Sequence, residues 1–594
     1  MKYKIYKEKK PIKTVKKIIK LLKNKLNINL QEEVYTNIND VKSNFASLRI
    51  KLLGINSLGT NGKGTNINNA KASAYGEFME RIQNQTWISC KSTSFKFAPD
   101  ELFFNIEELK NNIFSKYLND NKLLEKMAQI SAKTVNNSIL HEEIPSNSYL
   151  MLPFFNIKDK NVYNLPYKII RYMQITTGMT AGNTKEEALV QGISEICERY
   201  AIKEIISKNI SLPNIPKEFY IKYENIKKII EAYEESGYKI YIKDASLNKN
   251  IPTVCLVVQD DDNEIFYLSF GAHPSLPVAI ERTLTEFCQG SSKISKKEIL
   301  NSCNILDNEN LDYIIESMSM LRTGFKYTSR IKNQFITENE SYKFSNSAWI
   351  KNSIFLNNKK ILKFLLENIR PITNNDIYIR DVGFLEFPAF YIFIPTMSVL
   401  YEYNIEKADK ELNLIKWIEL KEENLNEEEN YSIESLKDAL EIKENRRLLL
   451  WKGKISSITN EHLLLLCSIV QKDKEKINLY AEEIIKKATE EKYLILLNII
   501  KDYYSADSDK LIIEKLSEKY SQKDIENFIK FKDQLTYKKI KELIIKNKNF
   551  KREEIIQKLK ELNSIREKLA QKYNKNMPKQ YELKRLFKFV KTEI

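Results

Sequence analysis

GMTAGNTKEEALVQGISEICER, Gly178 to Arg199, decides how the rest of the chain is read. Glycines and Asn183 open it, and a helix-period segment follows with Gly192 inside it. Asn183 or Thr184 can cap that helix, and Glu187, three residues past Thr184, stands where a capping box needs a carboxylate. At roughly 100° per residue, Glu187, Gln191, Glu195, Glu198 and Arg199 fall within an arc of about 120°. Leu189, Val190, Ile193, Ile196, Cys197 and Tyr200 take the opposite side. The polar arc is either the solvated side of an ordinary amphipathic helix or one wall of a site.

A second copy favours the site. GKGTNINNAKASAYGEFMER, residues 62–81, repeats the pattern: Ser73, Glu77, Glu80 and Arg81 answer to Gln191, Glu195, Glu198 and Arg199. Gly64 precedes Glu77 by thirteen residues, as Gly182 precedes Glu195. Two glycine turns, each leading a helix that ends in E-x-x-E-R, can converge four glutamates on one point. Like charges at close range raise one another's pKa or separate the helices unless a cation joins them. An all-oxygen donor set suits Mg²⁺, which carboxylates usually share with substrate phosphates. The chemistry inferred is Mg–nucleotide binding between two helices.

The two stretches, extended to TNGKGTNINNAKASAYGEFMER for the first, resemble the central motifs of the YcaO family. Its members are ATP- and Mg-dependent enzymes that activate peptide backbone amides. SFGAHPSLPVAIERTLTEFCQG (269–290) resembles the family's third motif. The resemblance spans roughly residues 1 to 400, nearest to long stand-alone bacterial members with an added helical C-terminal domain. Those members are accessory factors for methylthiolation of a small-subunit ribosomal protein.

The resemblance implies ATP between the helices near 69–83 and 184–203. It gives Mg²⁺ to Glu77, Glu80, Glu195 and Glu198, and the phosphates and catalysis to Arg199 and Arg282. Ser73, Asn183 and Glu187 contact the adenosine, with Thr180 standing where the near relative has Ser. A basic residue just before the first helix touches phosphates; Pro11–Thr14 resembles that helix start and points to Lys7, with Lys9 and Lys10 close by. Implied partners are a peptide or protein substrate, namely a small-subunit ribosomal protein, with its radical-SAM methylthiotransferase. A homodimer is expected, with nucleic acid met only through the ribosome. Azoline-forming members end in a proline-rich PxPxP tail, whereas this sequence ends KRLFKFVKTEI, so the stand-alone group is favoured over a cyclodehydratase. A thioamide-forming role stays open. A non-catalytic ribosome-assembly or RNA-binding factor is the rival of another class.

With 594 residues the chain has room for two or more domains. A net charge of +16 permits ribosome contact, but Lys, Asn and Ile abound throughout, so the charge is as much habit as site. The N-terminus lacks a signal-like apolar core, and no apolar run approaches the ~18 residues of a membrane span. Six Cys show no CxxC spacing, which speaks against a disulfide framework or zinc site. A cytoplasmic protein is expected. With three His in all, a His-based triad is poorly supported, and His273 reads as a turn residue.

In chain order, residues 10–26 read as a basic amphipathic helix. Residues 47–58 read as a strand leading into GTNGKG (59–64). That run is P-loop-like only superficially, because Gly64, not Ser or Thr, follows Lys63. Residues 91–165 read as an irregular insertion. Residues 238–243, 252–258 and 265–270 read as strands, with DDDN (260–263) as a polar hairpin tip, and 276–290 as a helix carrying Arg282, Glu286 and Gln289 on one face. Two strands split near Phe387–Pro388 follow. The expected class is α+β: an ATP-binding domain of two similar sheet-and-helix halves over 1–402, a linker over 403–432, and an all-α, tetratricopeptide-like domain over 433–594.

Overall fold

The computed structural model describes residues 7–35, 46–86, 100–112, 122–123, 125–126, 149–286, 325–327, 331–336, 339–351, 357–400, 405, 408, 409, 412, 460–485, 491–505, 509–535 and 552–590. Helix α1 (Pro11–Leu26) begins on Pro11, whose fixed φ suits the first helical position. It ends on Asn27 in the left-handed conformation, at φ 56°. Val15, Ile18, Leu22 and Leu26 form its buried side.

Strands β1 (Leu30–Tyr35), β2 (Ala46–Leu52) and β3 (Ile55–Gly64) make an antiparallel sheet in that order. The glycine-rich run 59–64 is therefore strand rather than the turn expected from its composition. Close packing explains its glycines. A Cβ on Gly62 would stand 2.0 Å from the Ala70 carbonyl oxygen, and one on Gly64 2.5 Å from Asn69 Cβ. Helix α2 (Ile67–Gln83) can lie this near β3 only where side chains are missing.

The remaining strands are β4 (Leu102–Phe104), β5 (Tyr149–Asn156), β6 (Val162–Pro166), β7 (Met179–Ala181), β8 (Lys239–Asp244), β9 (Thr253–Asp260), β10 (Ile265–Ala272), β11 (Phe325–Lys326), β12 (Tyr378–Asp381) and β13 (Ala389–Phe393). One sheet runs β4-β5-β12-β13-β7 with β6 on β5; another runs β11-β10-β9-β8. Part of the supposed insertion 91–165 thus builds β4, β5 and β6. Pro153 and the near-continuous apolar run 149–155 hide any alternation there, because β5 is buried on both faces. The DDDN tip is a polar turn as expected: Asp261 pairs with Lys239 and accepts from the Tyr327 hydroxyl at 2.5 Å.

Helix α3 (Lys185–Ser207) lies between the two larger sheets. Its Ile193, Ile196, Ile202 and Ile205 share a core with Cys255, Phe266 and Leu268 on one side and Phe390 and Ile392 on the other. Gly192 is where it meets the sheet most closely, since a Cβ there would stand 2.8 Å from Thr180 Cγ2. Helix α4 (Leu276–Glu286) packs on β10, leaving Gln289 outside the described residues. The whole is a mixed helix-and-sheet body. Each helix unit lies between two sheets: α2 packs on β2 and β3 and meets β7 and β13, and α3 packs on β9 and β10 and meets the same two strands.

A mostly helical region follows. Five described helices between Asn460 and Gln534 pack largely in sequence order around a core of their own that includes Leu465, Ile477, Leu497 and Phe528. Residues 552–590 do otherwise. In helix α5 (Arg552–Asn576), Ile565, Leu569 and Tyr573 join the core of α1 and α2. Leu583, Phe587 and Val590 join that of α3, and Phe587 stacks on Phe155. Among the described residues no helix is long and apolar enough to cross a membrane.

Candidate nucleotide and metal site

The two helix units match position by position at an offset of 118: Gly64 and Gly182, Asn66 and Thr184, Ala70 and Ala188, Glu77 and Glu195, Arg81 and Arg199. Asn66 caps α2 by accepting the Asn69 amide at 3.0 Å, and Thr184 caps α3 by accepting the Glu187 amide at 3.2 Å. Gly64 and Gly182 both back onto the helix start. Cβ atoms there would lie 2.9 Å and 2.7 Å from the amide nitrogens of Ala70 and Ala188.

Only half of the expected capping box forms. The Glu187 carboxylate turns away from Thr184, accepts the Glu8 amide at 3.0 Å and Asn183 Nδ2 at 3.2 Å, and faces the half-exposed Lys7 ammonium at 3.6 Å. Asn183 in turn accepts the Thr14 hydroxyl at 2.9 Å. So the start of α1 is stitched to the start of α3, and Lys7 pairs with Glu187 there.

Further along, α2 and α3 bring their glutamates together. Arg81 lies 2.7 Å from Glu80 and 3.2 Å from Glu77, and Arg199 lies 3.5 Å from Glu198. Side-chain exposures of 12 % for Glu80 and 10 % for Glu198 rule out a solvated face. Burial, then Glu195 and Glu77, push the Glu80 carboxyl well above the usual range against the pull of Arg81. Burial raises Glu195 too, with Glu198 and Glu77 adding and Arg199 and Arg81 opposing. Arg282 reaches across from α4: its Nη1 donates to Gln191 Oε1 on α3 at 2.5 Å. Burial lowers its pKa, while Glu198 and Glu195 hold the charge in place.

Ser73 stands one turn before Glu77 on α2, half buried. Thr180 is fully buried and donates its hydroxyl to the Ala188 carbonyl at 2.7 Å, clamping strand to helix. His273 is the turn residue foreseen, its Nδ1 accepting the Ser275 amide at 2.9 Å. Burial, with Arg282 and Lys7 nearby, keeps its imidazole well below the usual pKa and therefore neutral. Lys63 pairs from β3 with Glu286 on α4. Sequence reasoning missed Glu8, whose contact to Glu187 is made by its backbone and leaves no side-chain signal.

Among the described residues no three His, Cys, Asp or Glu side chains stand close enough to hold a metal alone. The arrangement nonetheless fits Mg²⁺ shared with phosphate: the donors are all oxygen, and burial, with Glu77 beside them, raises the pKa of both Glu80 and Glu195. A family model described as YcaO cyclodehydratase, ATP- and Mg²⁺-binding, matches residues 61–398, more than half the chain. The chain belongs to the YcaO family. ATP and Mg²⁺ are accordingly its cofactors. Among curated relatives, an uncharacterized protein of Haemophilus influenzae is 31% identical over 58% of this chain and 57% of its own length. The ribosomal protein S12 methylthiotransferase accessory factor YcaO of Escherichia coli is 36% identical over 39% of this chain and 40% of its own. The chain thus spans about half the length of these relatives. Of solved structures, YcaO from Methanopyrus kandleri bound with AMPPCP and Mg²⁺ superposes with TM-score 0.38 at 14% identity, over 66% of this chain and 92% of that one. A heterocyclase in complex with substrate and cofactor gives 0.43 at 15%, over 66% and 52%.

One expectation follows for this YcaO protein. The folded state binds more protons than the unfolded one between the ordinary carboxylate range and the raised pKa values of Glu80 and Glu195. Metal-free stability contributed by these groups is therefore lost as pH rises through that window. Mg²⁺ should restore it, so the thermal shift on adding Mg²⁺ should be larger at about pH 8 than at about pH 5. An equal shift at both would show that these carboxyls do not bind the ion.

Proposed function

We propose that this chain activates a peptide backbone amide by phosphoryl transfer from ATP, as an accessory factor in methylthiolation of a small-subunit ribosomal protein. The carrying observation is the convergence of four glutamates and three arginines between α2, α3 and α4. Bound ATP supplies the phosphoryl group and Mg²⁺ neutralises its charge. In this reading Glu77, Glu80, Glu195 and Glu198 hold the metal, while Arg199, Arg282 and Lys7 orient the phosphates. Ser73, Asn183 and Glu187 seat the adenosine. The resemblance to the Escherichia coli accessory factor supports a ribosomal protein substrate and a methylthiotransferase partner. The family model's description supports an azoline- or thioamide-forming role as the second reading.

The test is calorimetry with ATP and Mg²⁺. Glu195→Gln should weaken binding by on the order of 10-fold or more, since it removes a charged ligand. Unchanged affinity in a folded variant would sink the assignment. For the domain division we propose the body over 1–402 and a tetratricopeptide-like array from 433, supported as far as 535 by the separate core of 460–535, with 552–590 returning to the body. Limited proteolysis should cut first between 403 and 432; first cuts inside 230–290 would contradict it.

A further inference from the structure

Arg81 is the guanidinium of the cluster that phosphate binding leaves without a task. It answers to Arg199 at the same offset of 118, yet its surroundings differ. Arg81 touches both carboxylates of its own helix, Glu80 at 2.7 Å and Glu77 at 3.2 Å, and faces Glu195 on α3. Its Nη1 is buried and has no hydrogen-bond acceptor in good geometry, although Glu80 is within ion-pair range. It is held by charge more than by directed bonds. Four carboxylates against Arg81, Arg199 and Arg282 leave the cluster with a formal charge of −4 + 3 = −1. Without Arg81 the figure is −2, and Glu77 and Glu80 on α2 lose the cation that pairs with both of them.

We propose that Arg81 is the fixed counter-ion of the carboxylate cluster. It keeps α2 and α3 together before metal arrives, and it lowers the cluster's own affinity for a bare divalent cation, so that metal enters with the nucleotide phosphates. This rests on the reading that the four glutamates are the metal ligands.

The test uses the full chain and Mn²⁺ alone, without nucleotide, with free Mn²⁺ read by electron paramagnetic resonance. Arg81→Met should bind Mn²⁺ about 10-fold tighter than wild type or better, because one opposing charge is gone. Its metal-free melting point should fall, and Mg²⁺ should raise it by more than in wild type. Arg81→Lys keeps the charge and should stay near wild type on both measures. Equal or weaker Mn²⁺ binding by a folded Arg81→Met overturns the counter-ion role. A variant that folds only in Mg²⁺ is the expected result in stronger form. One that folds in neither condition assigns Arg81 to packing and overturns the proposal. The ligand assignment fails separately: a gain in affinity that persists in the Arg81→Met, Glu195→Gln double variant places the metal elsewhere.

Discussion

Arg282→Ala should lower ATP turnover by on the order of 10²-fold or more, about 2.7 kcal/mol of transition-state stabilisation. The sequence offers a modest alternative, an i,i+4 surface pair with Glu286 worth roughly 0.3–0.5 kcal/mol. The structure removes that alternative. Glu286 is taken by Lys63 from β3, and Arg282 points the other way, donating to Gln191 on α3. A guanidinium held against its own burial beside Glu198 and Glu195 is placed to meet phosphoryl charge rather than solvent. Arg282→Lys should rescue only in part, since an ammonium cannot reproduce a planar fork that binds Gln191 and an anion together. Both proteins should be compared in one assay. Equal ATP consumption by wild type and Arg282→Ala would refute the role.

Arg380→Met should destabilise the body by about 3–5 kcal/mol, the usual cost of leaving a buried charge unpaired. Arg380 is 2 % exposed and its partner Asp100 is 6 % exposed. Its guanidinium also meets the Tyr573 hydroxyl and donates to the Pro153 carbonyl at 3.1 Å. The Tyr573 hydroxyl lies 2.6 Å from both Asp100 oxygens, so this buried knot fastens α5 to the six-stranded sheet. Gln580 adds a second tie, accepting the Asp381 amide at 2.7 Å and donating to its carbonyl at 3.0 Å. Loss of Arg380 strands the Asp100 carboxylate, and Asp100→Asn in the same chain should recover part of the loss by removing that charge. Calorimetric melting of wild type, the single and the double variant reads this directly. A single variant that melts with wild type would show that the knot contributes nothing net.

Much of the site was legible in the residues because it rests on helical periodicity. The positions of Glu77, Glu80, Glu195, Glu198, Arg81 and Arg199 follow from two matching segments, and an angle of about 100° per residue puts each set on one face. The cap of α3 and the hairpin from β9 to β10 were readable for the same reason: each depends on residues a few positions apart. The glycine run 59–64 was misread because glycine marks both a turn and a close helix-on-strand contact. Only the 2.0 Å clearance beside Gly62 tells which it is. The partner of the Thr180 hydroxyl became visible only with α3 packed above β7. The return of 552–590 to the first body was likewise hidden: Tyr573 and Gln580 meet partners that lie 473 and 199 residues away. Sequence thus determined what local period and spacing control, namely which side chains share a helix face and where helices begin. Tertiary structure decided what depends on long-range packing: which charges are buried, which partner each takes, and which face a glycine opens. Burial fixes the energy of a charge, and burial is a property of neighbours that the chain brings from afar.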